Sequence, residues 1–174
     1  MEIFTPRLEI RNLRCSDWKA VQEIWLDADA SPYAKYDAPH TTDDDGVKRL
    51  VESFCETDDF YIVQLINTDT VIGTIDIHDT GNGSDIGYCF ISGFHGKGYA
   101  KESCHALIDH YFLAGVKRFT AGTALLNAPS VGLLKSLGFR QTAAEKVSFY
   151  KNETGEPVYF DGGIFELAKE DWKC

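Results

Sequence analysis

The sequence predicts a mixed α/β fold, with one domain whose central sheet is largely antiparallel and flanked by helices. Three observations carry this. The 174 residues, 44% hydrophobic and 25% charged, suffice for one proper core and fall short of two. Strand-like and helix-like periodicities follow one another in the order β-α-α-β-β-β-α-β-α-β-β, with no repeat, linker or low-complexity stretch. A glycine-rich turn, His95-Gly96-Lys97-Gly98-Tyr99-Ala100, leads from a strand directly into a helix.

Each element has its own signal. Leu8–Leu13 alternates and reads as the opening strand. Ser16 is placed to cap a helix running to about Ala28, with Trp18, Val21, Ile24 and Trp25 on one face. A polar, irregular stretch from Asp29 to about Thr42 follows, of a length that is usually functional or mobile. Val47, Leu50, Val51 and Phe54 define a second helix from about Asp43. Phe60–Ile66 and Val71–His78 form a hairpin across Asn67-Thr68-Asp69-Thr70. The Gly/Asn-rich turn Asp79–Ser84 enters the strand Asp85–Ile91. Beyond the glycine turn, Ala100, Cys104, Leu107, Ile108 and Tyr111 mark one face of a helix ending near Gly115. Arg118–Ala124 reads as a strand, and a short helix from about Ala128 to Leu137 stops at Gly138. Phe139–Tyr150 and Val158–Leu167 close the chain as two strands around Asn152-Glu153-Thr154-Gly155-Glu156.

Composition narrows the partners. No apolar run approaches the ~18 residues of a membrane span, and the N-terminus lacks a signal-peptide layout. The expectation is a soluble, cytoplasmic protein with no membrane partner. A net charge of −10 argues against nucleic acid, which requires a basic footprint, and is compatible with a cationic amine. Cys15, Cys55, Cys89, Cys104 and Cys174 form no C-x-x-C pair, so the expectation is reduced thiols and no metal.

A glycine turn opening a helix exposes backbone N–H groups at the positive end of the helix dipole, and Lys97 and Lys101 add charge. That is a phosphate site. It is not a Walker loop, because Gly98 rather than Ser or Thr follows Gly96-Lys97. Nor is it a dinucleotide fingerprint, because Lys101 stands where the third glycine would be. His95–Ala100 does match the spacing of the acyl-CoA loop R/Q-x-x-G-x-G/A. Thr5-Pro6-Arg7-Leu8 precedes it, together with Ile86-Gly87-Tyr88; Asn127-Ala128-Pro129-Ser130, Leu137-Gly138-Phe139 and Phe165-Glu166-Leu167-Ala168-Lys169-Glu170-Asp171-Trp172 follow. On these motifs, over nearly its whole length, the chain resembles the GNAT N-acetyltransferase superfamily and, within it, the RimJ/RimL-like ribosomal-protein N-terminal acetyltransferases. It departs at His95, commonly Arg or Gln, and at Ser92, usually proline.

The resemblance implies the acyl-CoA N-acyltransferase fold with acetyl-CoA as co-substrate. The pyrophosphate would lie on Gly96, Lys97, Gly98, Tyr99, Ala100 and Lys101 behind His95. The pantetheine arm would lie along a splayed strand at Phe90 and Ile91 and against Asn127. Acetyl transfer needs a polarised thioester, a neutral amine and a leaving thiolate. A backbone N–H near Phe90 is placed to polarise the carbonyl. Asp85 is the first choice of base, with Asp76 and His78 on the preceding strand as others. Many members place a tyrosine acid where this chain has Leu134, and in the RimJ/RimL-like group its suggested substitute maps to Ser130. By the same analogy the Asp29–Thr42 stretch and the last hairpin hold the acceptor, with Trp25, Tyr33, Tyr36 and Tyr150 as lining and Asp27, Asp29 and Asp37 as cation-attracting groups. The expected acceptor is a protein or peptide N-terminal α-amine. The alternatives are a small amine (polyamine, amino acid analogue or aminoglycoside) or an acyl-CoA-binding module without turnover. The resemblance also admits a homodimer.

Overall fold

The apolar faces read from the sequence pack onto both sides of one sheet. The structure, a computed structural model, describes residues 1–173. The strands are β1 (Glu2–Phe4), β2 (Leu8–Asn12), β3 (Phe60–Leu65), β4 (Val71–Asp79), β5 (Ser84–Phe90), β6 (Arg118–Ala124), β7 (Arg140–Lys151) and β8 (Pro157–Ala168). The helices are α1 (Trp18–Asp29), α2 (Asp44–Phe54), α3 (Tyr99–Leu113) and α4 (Ala128–Ser136). The sheet order is β1-β2-β3-β4-β5-β6-β8-β7, and every neighbouring pair is antiparallel except β5 and β6.

Strand alternation separates two cores. Tyr61 and Val63 of β3 face Leu107, Ile108 and Phe112 of α3, together with Phe119, Phe165 and Leu167. Ile62, between them in sequence, faces the other way and meets Val21, Ile24 and Trp25 of α1 and Val47 and Val51 of α2. The result is helix, sheet, helix in three layers.

Local chemistry sets the helix starts. Asp43 caps α2 by accepting from the Gly46 N–H at 2.8 Å. Ser16, expected to cap α1, does not. A 3₁₀ turn over Cys15–Asp17 intervenes, and the Asp17 carboxylate accepts from the Arg14 N–H at 2.7 Å. The Arg11 guanidinium grips the same carboxylate through two bonds of 2.7 and 2.9 Å. β1 has only three residues and gave no sequence signal, and β8 inserts between β6 and β7 rather than following β7 outward. No described helix is long and apolar enough to cross a membrane. Cys104 is buried, and the expectation for Cys174 lies outside the described residues.

Candidate active site

The parallel pair is where the sheet opens. β5 and β6 stay in register only at Ser84 with Phe119 and Asp85 with Thr120, after which they diverge. On its other edge β5 remains bonded to β4, with the Ile91 N–H donating to Ile72 at 3.0 Å. Antiparallel alternation then turns the N–H and C=O of Phe90 toward the cleft between β5 and β6. A cavity of about 890 Å³ occupies that cleft. It is lined by Tyr88, Cys89 and Phe90 of β5 and by Gly122, Thr123 and Ala124 of β6. Tyr88 packs with the α3/α4-side core and Cys89 with the α1/α2-side core, so the cavity passes through the sheet.

On the α3 side lies the glycine turn. Gly96 and Gly98 have φ of 72° and 82°, a left-handed backbone open to glycine and costly for other residues. These turns bring the backbone into α3 at Tyr99, and the first turn of that helix lines the cavity; the first N–H groups of a helix have no partner within it and are suited to phosphate. His95, Gly96, Gly98, Tyr99, Ala100 and Lys101 all line it. The loop is braced from two directions. His95 Nε2 donates to the Phe90 carbonyl at 2.7 Å, tying the turn to the splayed strand and using the residue that departs from the usual Arg or Gln. Arg7 donates to the Lys97 carbonyl at 2.9 Å and to Glu102 at 2.6 Å, and its guanidinium lies 4.5 Å from the Tyr99 ring centre. Thr5 donates to the same Glu102 at 2.6 Å. The Thr5-Pro6-Arg7 motif is therefore the loop's clamp. Burial works to raise the Glu102 pKa, but the bonds from Thr5 and Arg7 and the Arg7 charge outweigh it and hold the carboxyl below its ordinary value.

The start of α4 forms the next wall. Asn127 caps this helix, its side-chain oxygen accepting from the Ser130 N–H at 3.3 Å. The Ser130 hydroxyl stands 2.8 Å from the Tyr88 hydroxyl, and both side chains line the cavity. Burial pushes the Tyr88 phenol well above the usual tyrosine range, although the bond to Ser130 opposes the shift.

The opposite wall is acidic and aromatic. Asp27 accepts from the Ser92 N–H at 2.7 Å and from its hydroxyl at 2.8 Å, fastening α1 to the turn after β5. Asp29 pairs with His40 Nδ1 at 2.6 Å, and the His40 ring stacks on Trp25 at 5.5 Å. Tyr33, Tyr36 and Asp37 complete this side, and Glu145, Phe149 and Phe160 of the β7–β8 hairpin face them. The hairpin is held over the α1–α2 connection by Tyr150, which donates to the Ala34 carbonyl at 3.2 Å, and by the Tyr36–Phe160 edge contact. Burial, then the charges of Asp37, Asp27 and Asp29, push the Cys89 thiol up to about 12. The wall thus carries a negative field onto the end of β5.

Not every expected residue joins the cavity. Asp85 stands at the closed end of the β5–β6 pair, where its carboxylate accepts from the Thr120 hydroxyl at 2.5 Å. It does not line the cavity, and Ile86 and Gly87 separate it along the strand from Tyr88. Ile91 packs with the α1/α2 core, and both its N–H and C=O are taken, by Ile72 and the Phe94 N–H. Lys97 donates to the Gly93 carbonyl at 2.9 Å and braces the turn rather than lining the cleft. Asp76 and His78 form a separate cluster with Asp59, His78 reaching both carboxylates at 2.9 and 3.1 Å. Burial, only partly opposed by the His78 charge, raises the Asp76 pKa. Trp25 lies beneath His40 instead of lining the cavity, and Tyr150 acts as a strut. Sequence reading missed His40 and the pairing of Tyr88 with Ser130. The first lies in an irregular segment, and the second joins residues 42 apart in the chain.

Known proteins share this fold. The family model for the acetyltransferase (GNAT) domain matches residues 7–140. The uncharacterized N-acetyltransferase YnaD of Bacillus subtilis is 26% identical, over 99% of each chain. The uncharacterized N-acetyltransferase p20 of Bacillus licheniformis is 28% identical, over 98% of this chain and 97% of its own. Among solved structures, a GNAT-family acetyltransferase from Bacillus anthracis superposes with a TM-score of 0.82 at 24% identity, covering 98% of this chain and 99% of its own. The ribosomal-protein-S5-alanine acetyltransferase of Vibrio fischeri gives 0.81 at 19% identity over all of both chains. The ribosomal L7/L12 α-N-protein acetyltransferase RimL in complex with coenzyme A gives 0.77 at 19%, covering 97% of this chain and 98% of its own. A family match of that extent settles membership: the chain belongs to the GNAT acetyltransferases and is an N-acetyltransferase.

Proposed function

We propose that the protein transfers the acetyl group of acetyl-CoA directly to the α-amine of a protein or peptide N-terminus. The observation that carries this reading is the cavity through the sheet, with a phosphate-type turn on one side of β5 and an acidic, aromatic wall on the other. The ribosomal-protein acetyltransferases among the structural neighbours support the peptide acceptor. Amine chemistry supports it as well. An α-amine with pKa ~8 costs roughly 1.4 kcal/mol to neutralise at pH 7, against roughly 4–5 kcal/mol for a lysine-type amine near 10.4.

The residues present fit the co-substrate, which when bound supplies an activated thioester carbonyl. The N–H groups from Gly96 to Lys101 and the Lys101 ammonium would hold the pyrophosphate, and Asn127 and the Phe90 backbone, which line the same cavity, would orient the pantetheine arm. The Phe90 N–H is the group placed to steady negative charge on the carbonyl oxygen. A phenol held above its usual range does not surrender its proton to a thiolate, whose thiol has a pKa of about 8.5. That leaves Ser130, its hydroxyl paired with that of Tyr88, as the hydrogen-bond donor to the departing sulfur.

Thiol release from acetyl-CoA, followed over a panel of acceptors, tests the reading. Peptides with a free N-terminus should support release. The same peptides blocked at the N-terminus but carrying internal lysines should not. Release with polyamines or aminoglycosides and none with peptides would reassign the acceptor, and no release with any amine would leave a binding module.

A further inference from the structure

We infer that His40, oriented by Asp29, is the catalytic base that takes the proton shed by the acceptor nitrogen. The inference rests on the acetyltransferase reading above and assigns a group to its second chemical requirement, for which Asp85 stands at the wrong end of β5.

Geometry carries the assignment. The imidazole lines the cavity on its acidic side and is fixed on two sides, stacked on Trp25 and bonded through Nδ1 to Asp29 at 2.6 Å. A carboxylate only accepts, so the short contact places a proton on Nδ1, and in the neutral ring that leaves Nε2 with its lone pair. Nε2 makes no hydrogen bond among the described residues, and no such side-chain atom is shut off from solvent without a partner, so Nε2 is open to an incoming amine. The Asp29–His40 pair thus has the form of a base and its orienting carboxylate. Asp27 lacks this freedom because Ser92 occupies both its oxygens.

Besides Asp29, which bonds the ring, the carboxylates and thiol that line the same cavity are Asp27 from α1, Asp37 from the connection, Cys89 from β5 and Glu145 from β7. The carboxylates among them attract an ammonium. Cys89 is held neutral, its thiol pushed up to about 12.

The proton balance closes. The acceptor ammonium loses one proton to solvent, and the lone pair of the neutral amine forms the C–N bond as the C–S bond breaks while His40 Nε2 takes a further proton from that nitrogen. His40 then gives up this proton and the departing thiolate takes one, so amide, thiol and one solvent proton are the products. Asp29 touches none of the reacting atoms and acts as a positioning residue.

Two readouts on the full-length protein test this, one of them independent of turnover. Nitrogen NMR of histidine-labelled protein, assigned with His40→Gln, should find His40 in the Nδ1–H form. Asp29→Ala should move it toward the Nε2–H form. An Nε2–H tautomer in the wild type overturns the proposal. In kinetics with an active peptide from the panel, His40→Gln should lower kcat/KM by about 10²-fold near pH 7 while leaving acetyl-CoA affinity unchanged. In acid, wild-type kcat/KM should fall with the square of the proton concentration, because amine and base must both be neutral, whereas His40→Gln should fall only with its first power. Equal slopes for the two proteins would reduce His40 to a strut. A wild type inert toward every amine would instead refute the acetyl-transfer reading, with the tautomer still deciding how the pair is built.

Discussion

Replacing Gly98 with alanine separates a co-substrate cradle from a merely tight turn. Gly98 has φ of 82°, and a Cβ placed there meets only Arg7 Nη2 at 3.4 Å. Space is therefore not the obstacle, and the cost is in the backbone, where a left-handed conformation is worth about 1–2 kcal/mol against an L-residue. The free loop, held at this point by an exposed arginine, should relax out of that conformation, and ligand binding must then restore it. The full strain appears as lost affinity: acetyl-CoA should bind about 5–30-fold more weakly at 1.4 kcal/mol per tenfold. Gly115→Ala is the control. It lies past the far end of α3 at φ of 112°, in open space and outside the cavity. Its cost should appear as a melting temperature lower by about 2–8 °C, at 2–4 °C per kcal/mol for a chain of this size, with unchanged affinity. Calorimetric titration with acetyl-CoA and thermal melts of both variants decide the matter. If Gly98→Ala bound as tightly as wild type and merely melted earlier, the turn would be structural and the cradle argument would fail.

Two further outcomes follow from the site. Tyr88→Phe and Ser130→Ala should each lower kcat at saturating acetyl-CoA by about tenfold or less, as expected for loss of a hydrogen bond worth about 1 kcal/mol. The double variant should be no worse than the weaker single one, because the pair acts as a unit; full additivity of the two losses would dissolve that unit. For Glu102, the folded-state pKa lies below the unfolded one, so its contribution to stability is present above about pH 4.3 and is lost as pH falls through the folded value. Melting temperatures taken from about pH 5 down to pH 3 should therefore drop more steeply for wild type than for Glu102→Gln, and parallel curves would remove Glu102 from the acid response.

The fold was legible wherever periodicity was strong and local. β6 begins at Arg118 and ends at Ala124 as its alternation predicts, and Gly138 takes the positive φ of 93° expected of a helix-ending glycine. What stayed hidden depends on distant partners. Nothing in the alternation of β7 and β8 says which of them borders β6, since that is decided by how Phe165 and Leu167 reach the α3-side core. The glycine turn announced itself because backbone conformation is written in residue type. His40 did not, because its meaning arises from Asp29 and Trp25 across an irregular connection. The position of Asp85 at the closed end of β5 and β6 was hidden for a related reason: the start of a strand is visible in sequence, but which end of a parallel pair parts is not.

The clamp at Arg7 also bears on the order in which the molecule is made. Arg7 and Glu102 are 95 residues apart, and closing a loop of that length costs about 4 kcal/mol in chain entropy. The Thr5-Pro6-Arg7 segment therefore waits for β2 to dock beside β3, and for α3 to pack against it, before it finds its partner. Shaping of the glycine turn is a late folding event, and a partly folded chain carries the motif without the cradle. Under the proposed function, affinity for acetyl-CoA would thus serve as a gauge of completed folding across the whole domain, sensitive to damage far from the turn itself.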